Sequence, residues 1–213
     1  MAQPVALITG ASGKLGPIIA RAAAESGYAL ALAAHRGRVA LPSGVLAHRF
    51  SADLRRPGSA AALVRRVEQK LGPVRALLHA AGGFATGPLL SMDRQRFDEE
   101  LAVHAGAFLS LVQAVRPGMQ RRGGGRILAF SLEGLEEPRA YRQIAAHAAA
   151  KAAALVLTLS LAGELSGEGI EVHAVALPRE PSPASLKRVL CRLLSERGGG
   201  RVGRVHPVAA APR

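Results

Sequence analysis

The sequence predicts an α/β fold: a single doubly wound parallel sheet of about seven strands, of Rossmann type, with helices on both faces. Short apolar runs alternate along the chain with stretches that have helical apolar spacing. Strands separated by helices imply a parallel sheet with right-handed crossovers. The length of 213 residues and the hydrophobic fraction of 49% suit one full core, whereas two domains would each be cramped.

The predicted elements follow one another in a regular order. The run PVALITG (4–10) is a strand that ends in glycine, and KLGPIIARAAAESG (14–27) is a helix closed by Gly27. Further strands are predicted at 28–36, 45–54, 74–82, 125–131, 170–178 and 201–208. Further helices are predicted at 59–72, within 92–119, from His147 onward and at 185–196. One domain therefore spans 1–208, and 209–213 form a short tail.

Composition limits the classes of protein that fit. The single cysteine, Cys191, excludes a disulfide framework and favours the cytoplasm, and we expect no membrane-spanning run. The net charge of +13 would attract phosphates, nucleic acid or acidic partners. The excess arginine is scattered, and few aromatic residues are present to stack on bases. We therefore do not expect nucleic acid to be the main partner.

A glycine-rich turn follows the first strand. TGASGKLG (9–16) spaces Gly10, Gly13 and Gly16 at three-residue intervals between a strand and a helix. Backbone N–H groups at the start of such a helix can face a pyrophosphate. The predicted cofactor loop is Gly10, Ser12, Gly13, Lys14, Leu15 and Gly16. The alternative is a turn that serves only tight packing of the strand on the helix.

A second motif is HAAAKAAA (147–154), which places His147 and Lys151 four residues apart and so on one helical face. By itself the pair also fits the solvated edge of an alanine-rich helix.

Taken in chain order, these motifs resemble the short-chain dehydrogenase/reductase family over nearly the whole sequence. Asp53, in SADL, lies where the family contacts the adenine ring. HAAG (79–82) replaces the family's NNAG and keeps Ala81 and Gly82 as cofactor contacts. His104 stands where an asparagine that relays protons is usual, and GIEVHAVALP (169–178) is similar to the strand that ends in NAVAPG.

The same resemblance implies that the catalytic set is altered. Lys151 matches the lysine that holds the nicotinamide ribose and lowers the pKa of the family tyrosine, but His147 replaces that tyrosine. The family serine aligns with Leu132, so Ser131 is one residue early and could substitute only at an irregular strand end. Tyr141 could fold inward only as a loop residue. Few residues follow the strand ending at 178, where the family usually has a substrate-covering segment.

The end of the second predicted strand bears on the choice of cofactor. AAHRGR (33–38) lacks the acidic residue that would bind a ribose 2′-hydroxyl. Arg36 and Arg38, with Lys14 near, could meet a 2′-phosphate instead. We therefore favour NADP(H) over NAD(H), while solvated loop cations remain the alternative.

Three functions remain open from the sequence. The leading prediction is a cofactor-binding but catalytically weak or inactive subunit that acts by association, either as a homodimer or with a related dehydrogenase chain. Helices within 92–119 and 147–164 would form the contact, as the family resemblance implies. The alternatives are an NADPH-dependent carbonyl or ketoacyl-type reductase that uses His147 with Lys151, Ser131 and His104, and a basic nucleic-acid scaffold. We predict no metal site.

Overall fold

Seven strands form one parallel sheet in the computed structural model, which describes residues 3–137, 139–195 and 203–211. Their order across the sheet is β3-β2-β1-β4-β5-β6-β7, so the chain starts centrally and winds outward in both directions. The predicted doubly wound fold is confirmed. The strands are β1 (Val5–Thr9), β2 (Ala29–Ala34), β3 (Ala47–Ser51), β4 (Val74–His79), β5 (Gly125–Leu132), β6 (Ile170–Leu177) and β7 (Val205–Pro207).

Helices cover both faces of this sheet. They are α1 (Gly16–Glu25), α2 (Ser59–Leu71), α3 (Arg94–Leu101), α4 (Ala107–Arg121), α5 (Ala145–Leu165) and α6 (Pro183–Ser195). One buried core joins α1 and α6 to the sheet, and the other joins α2, α4 and α5 to its opposite side. Because both faces are covered, a central strand such as β1 (VALIT) is apolar and buried throughout, without alternation.

The predicted long helix within 92–119 is divided in the structure. A π-helical segment, Ala102–Gly106, separates α3 from α4, and α4 continues through Pro117 to Arg121. Leu89–Ser91 and Ser166–Glu168 are short 3₁₀ turns. The predicted last strand at 201–208 is shorter, since β7 covers Val205–Pro207 and residues 201 and 202 lie outside the described part of the chain.

Only residues 178–182 separate β6 from α6, as the sequence indicated. The amide of Ser182 donates to the carbonyl of Ala209 (2.9 Å), and the amide of Ala211 donates to that of Glu180 (2.8 Å). The described part of the tail therefore pairs with this short segment. Residues 212 and 213 are outside the described range.

One helical stretch, Ala145–Glu168, is long and apolar enough to cross a membrane by length and composition alone. The expectation that no apolar run reaches that length is therefore wrong for this stretch. Half of it is buried inside the fold, as in the core helix of a globular protein, so the signal is weak. Cytoplasmic localisation stays a prediction.

A matched pair of glycine substitutions tests how closely β1 approaches β4. Gly10 and Gly44 both have φ +72°, but a Cβ on Gly10 would lie 2.4 Å from the carbonyl oxygen of Ala80, whereas Gly44 has open space. Gly44→Ala should lower the free energy of unfolding by about 1 kcal/mol, from backbone strain alone. Gly10→Ala should cost about 1–3 kcal/mol more, because the backbone must shift. Urea denaturation measures both, and equal losses would contradict this close approach.

Candidate cofactor and active site

A cleft of about 460 Å³ opens at the carboxyl ends of β1 to β4. This is the point where the strand order reverses, since β1 lies between β2 and β4, and parallel sheets bind ligands at such points. The volume falls within the usual range of ligand sites. Among the predicted cofactor residues, those that line it are Gly10, Ser12, Gly13, Arg36, Asp53, Ala81 and Gly82.

The glycine loop has the geometry expected of a phosphate-binding turn. The amide of Gly13 donates to the carbonyl of Gly10 (2.9 Å), and that of Gly16 donates to Gly13 (3.0 Å). A Cβ on Gly16 would lie 2.1 Å from the carbonyl oxygen of Ala11, so only glycine fits there. The amides of Ser12, Lys14 and Leu15 are bonded to no other group of the described chain, and they precede α1. These residues therefore fit a cofactor diphosphate.

The adenosine end of the cleft is rich in cations. Lys14, Arg36 and Arg38 are exposed, and their side chains form no ion pair within the described residues. The hydroxyl of Ser12 donates to the carbonyl of Arg36 (2.8 Å), which fixes the loop after β2 against the glycine loop. These exposed cations leave positive charge beside the glycine loop and the loop after β2.

Asp53 lines the cleft, but its carboxylate already has a partner. Arg55 donates to both carboxylate oxygens, at 2.9 and 3.0 Å, and also to Glu99 at 3.1 Å. The hydrogen bond from Arg55 outweighs the effect of burial and lowers the pKa of Asp53 to about 2. Asp53 therefore stays charged, and Arg55, which the sequence did not single out, fixes its position.

A buried histidine fastens the end of β4 to neighbouring elements. His79 Nε2 donates to the carbonyl of Val103 (3.1 Å), so its Nδ1 accepts from the hydroxyl of Thr9 (2.9 Å). Burial, followed by the charges of Lys151 and His104, lowers the pKa of His79 to about 3. His79 is therefore neutral and structural, and it joins β1 and β4 to the π-helical segment.

The predicted catalytic histidines meet around a buried acid. Glu100 Oε2 accepts from His147 Nδ1 at 2.9 Å and lies 3.4 Å from His104 Nε2. The two imidazole centroids are 4.9 Å apart, and the Phe84 ring packs edge-on against His147 at 4.7 Å. Burial alone would raise the pKa of Glu100, but the two histidines outweigh it and lower that pKa to about 2.

Sequence reasoning missed Glu100, although one signal was present. Glu100 and His104 are four residues apart, a spacing that places two side chains on one helical face. His104 also approaches the carbonyl of Gly83 at 3.3 Å, while its Nδ1 is buried without a hydrogen-bond partner. Burial lowers the pKa of His104 more than the hydrogen bond to Glu100 raises it.

Lys151 points its ammonium at the end of β5. Nζ donates to the carbonyl of Phe130 at 2.8 Å. Burial lowers its pKa to about 8, against a smaller raising effect of Glu100. The Lys151 charge lowers the pKa values of His79 and His104, so the lysine is electrostatically close to them.

Ser131 and Tyr141 are bonded elsewhere. The Ser131 hydroxyl donates to the carbonyl of Leu132 (3.2 Å), and that of Tyr141 donates to Gly134 (2.9 Å). β5 pairs regularly with β6 up to Leu132, without the irregular end that a shifted serine would need. Within the described chain, neither hydroxyl is hydrogen-bonded to His147 or Lys151.

The cleft reaches the cluster of acid and histidines but does not extend to the lysine. Its lining includes Phe84, Glu100 and Val103, while Lys151 and His147 do not contribute to it. A Cβ on Gly82 would lie 1.8 Å from Cε1 of His104, so the loop after β4 is pressed onto that ring. The adenosine and diphosphate positions therefore fit a dinucleotide well, whereas the nicotinamide end is more closed.

The chain was compared with known proteins. The family model described as short chain dehydrogenase matches residues 4–180. "Probable galactose dehydrogenase GalD" of Rhizobium meliloti is 34% identical over 179 residues, which cover 79% of this chain and 68% of that relative. "Inactive 2-(S)-hydroxypropyl-CoM dehydrogenase 2" of Xanthobacter autotrophicus is 32% identical over 162 residues, or 74% of this chain and 69% of the relative.

A solved structure supports the same assignment at the level of fold. A protein from Burkholderia xenovorans, assigned to the short-chain dehydrogenase/reductases, superposes with a TM-score of 0.84 at 20% identity, covering 97% of this chain and 95% of the other. The family match extends over residues 4–180, and the glycine loop and the strand order agree with it. This chain belongs to the short-chain dehydrogenase/reductase family.

Proposed function

We propose that this family member binds NADP(H) in preference to NAD(H) and acts as a catalytically weak subunit through association. The observation that carries the proposal is that His147, at the position of the family tyrosine, is hydrogen-bonded through Nδ1 to buried Glu100. Carbonyl reduction needs a proton donor beside the substrate oxygen while hydride moves. A bound nicotinamide cofactor would supply the hydride, but among the described residues no hydroxyl is hydrogen-bonded to His147 or Lys151 to supply the proton.

The other polar groups of the expected set support this proposal. Ser131 donates to a neighbouring carbonyl, and Lys151 donates to that of Phe130, so neither replaces the tyrosine. Residues 178–182 are too few for a segment that covers the substrate and excludes water. The Xanthobacter relative named as inactive provides a precedent, although other relatives are named as dehydrogenases or reductases.

The preference for NADP(H) rests on the exposed cations at the adenosine end. Arg36 lines the cleft, and Arg38 and Lys14 are exposed without ion-pair partners in the described chain. A guanidinium binds a 2′-phosphate by charge-assisted hydrogen bonds that NADH cannot form. The Asp53 carboxylate does not compete for these cations, because Arg55 already binds it.

The proposal of association rests on the outer face of α5. Val156 is 63% exposed and Leu159 is 40% exposed on this helix, whose inner face packs on the sheet. Exposed apolar side chains on one face favour a protein contact. We favour a second copy of this chain as the partner, with a related dehydrogenase chain as the alternative.

Nucleic acid is less well supported as a partner. Several arginines are already engaged, since Arg94 pairs with Asp98, Arg116 with Glu168 and Arg126 with Glu171. Ion pairs of this kind reduce the positive charge that is left for phosphates of nucleic acid.

One observation favours a second candidate, an active reductase. While His147 Nδ1–H stays on Glu100, Nε2 is the ring nitrogen left to exchange a proton with a substrate oxygen. Nε2 has no hydrogen-bond partner among the described residues. A screen of ketone and ketoacyl substrates with NADPH separates the two candidates, because only the second predicts turnover that Glu100→Gln abolishes.

Calorimetric titration tests the cofactor preference. NADPH should bind more tightly than NADH, and Arg36→Ala should weaken NADPH binding by about 10- to 100-fold, the effect of one or two charged hydrogen bonds. NADH binding should hardly change. Arg121→Ala, which removes an exposed arginine at the end of α4, is the control. Equal affinity for the two cofactors in the unaltered protein would contradict the preference.

Restoring the tyrosine alone should recover little activity. His147→Tyr leaves Leu132 where the serine belongs and His104 where the asparagine belongs, and catalytic residues act as a set. The triple variant His147→Tyr, Leu132→Ser, His104→Asn should exceed the single variant in kcat/KM with NADPH. Circular dichroism checks that each variant is folded. Ordinary turnover by the single variant would show that the other positions are not limiting.

Light scattering at micromolar concentration tests association. The unaltered chain should be a dimer or larger, and Val156→Arg should shift it toward monomer by placing a charge on the outer face of α5. The control is Leu46→Arg. Leu46 is 52% exposed and lies outside the helices within 92–119 and 147–164, so this change should leave the oligomeric state unaltered. A monomeric unaltered chain would rule out association with a second copy. Co-expression with related dehydrogenase chains then tests the hetero-oligomer.

A further inference from the structure

We propose that Glu100, His104 and His147 bind a divalent transition metal ion, with Zn²⁺ as the best fit. This inference goes beyond the proposed function and does not depend on cofactor binding or activity. It also departs from the sequence-based expectation of no metal site, which did not include Glu100.

The three potential ligand atoms already converge. Each residue offers one atom, and these atoms all lie within 4.8 Å of one another. Glu100 Oε2 is 2.9 Å from His147 Nδ1 and 3.4 Å from His104 Nε2. In a tetrahedral zinc site, neighbouring N and O ligands are about 3.3–3.5 Å apart, given Zn–ligand distances near 2.0–2.2 Å. A small opening of the triangle would therefore admit the ion.

The three ligands lie on helical segments that fix their positions. Glu100 lies in the last turn of α3, His104 in the π-helical segment that follows it, and His147 near the start of α5. The first two are four residues apart, so both project toward α5. π-Helical segments are rare and are frequent at functional sites.

Burial and charge favour a cation at this point. The side chains of His104, Glu100 and His147 are only 3%, 7% and 6% exposed. A buried carboxylate is costly unless an opposite charge compensates it.

The surrounding groups limit the choice of metal. Two imidazoles and one carboxylate suit Zn²⁺ and its neighbours in the transition series rather than Mg²⁺ or Ca²⁺. His79 is already bonded on both ring nitrogens, and the Lys151 ammonium, bonded to Phe130, opposes a dication and sets a limit on affinity. Three protein ligands leave a fourth position for water or another ligand, as in zinc sites that are open to chemistry.

Equilibrium dialysis with Zn²⁺ alone, on the full chain after chelator treatment, tests the site. We expect one tightly bound Zn²⁺ per chain, and a rise in the unfolding temperature because the ion binds the native state. Co²⁺ in place of Zn²⁺ should give visible absorption typical of a four- or five-coordinate nitrogen and oxygen site. Absence of a tight Zn²⁺ would overturn the proposal, and so would thiolate bands that place Co²⁺ on Cys191.

Substitutions assign the bound ion to residues. His104→Asn and His147→Asn should each lower Zn²⁺ affinity by more than about 100-fold, since loss of an outer partner of a ligand already costs 10- to 100-fold. His48→Asn, on strand β3, should bind Zn²⁺ like the unaltered chain. His206→Gln tests the neighbouring imidazoles His173 and His206, which lie 3.2 Å apart.

Each outcome of the series is decisive. Loss of binding in His206→Gln but not in His147→Asn would place the ion on the other histidine pair and overturn the proposal. Circular dichroism must show that both ligand variants are folded. If either is unfolded, the cobalt spectrum of the His206→Gln variant decides, because nitrogen and oxygen coordination in that variant leaves the Glu100 cluster as the candidate group among the described residues.

Discussion

The arrangement of the site depends on one buried carboxylate. Glu100 accepts a hydrogen bond from His147 and lies beside His104, and all three side chains are almost entirely enclosed. A carboxylate removed from water costs several kcal/mol unless its partners compensate it. Since the partners belong to the π-helical segment and to α5, satisfying the charge also fixes how these helices pack. The residue at the family's tyrosine position therefore stabilises a buried charge.

The same carboxylate shapes the far end of the cofactor cleft. A Cβ on Gly83 would lie 2.5 Å from Glu100 Oε1, and one on Gly82 would lie 1.8 Å from His104 Cε1. Both glycines follow β4 and line the cleft. Because the loop rests directly on the cluster, any change that expands the cluster must move the loop. We therefore expect a ligand that expands the cluster to alter cofactor binding through this contact.

The sequence predicted the sheet well because burial on two faces produces continuous apolar runs, as in β1 and β2. It also located the glycine loop, whose spacing depends on local backbone geometry. It could not predict the π-helical segment, because the extra residue in that turn leaves no apolar periodicity. It did not select Glu100 from the adjacent acids of RQRFDEEL, although Glu100 lies four residues before His104, because the burial of this carboxylate also depends on His147, 47 residues further along the chain.

Pro117 inside α4 also shows that local sequence preference does not settle where a helix ends. Proline lacks an amide donor, which favours an end to the helix at that point, yet α4 continues to Arg121. Val115 and Met119 pack in the core that joins α2, α4 and α5 to the sheet, and this packing outweighs the lost hydrogen bond. Local propensity therefore predicted element type, while tertiary contacts decided where this helix ends.

Proton donation and metal binding are the two chemistries considered for the cluster of Glu100, His104 and His147. Both depend on the state of the same atom, Nδ1 of His147. A proton donor acts through Nε2 of His147 and needs Nδ1–H to remain on Glu100. A metal ion replaces that proton and uses the nitrogen lone pair instead. A dication interacts with a given charge about twice as strongly as a proton does, so Glu100 favours the proposed ion and the Lys151 ammonium opposes it. Glu100 is in direct contact with His147, whereas the ammonium is bonded to Phe130, so the charge in direct contact is the one that favours the metal.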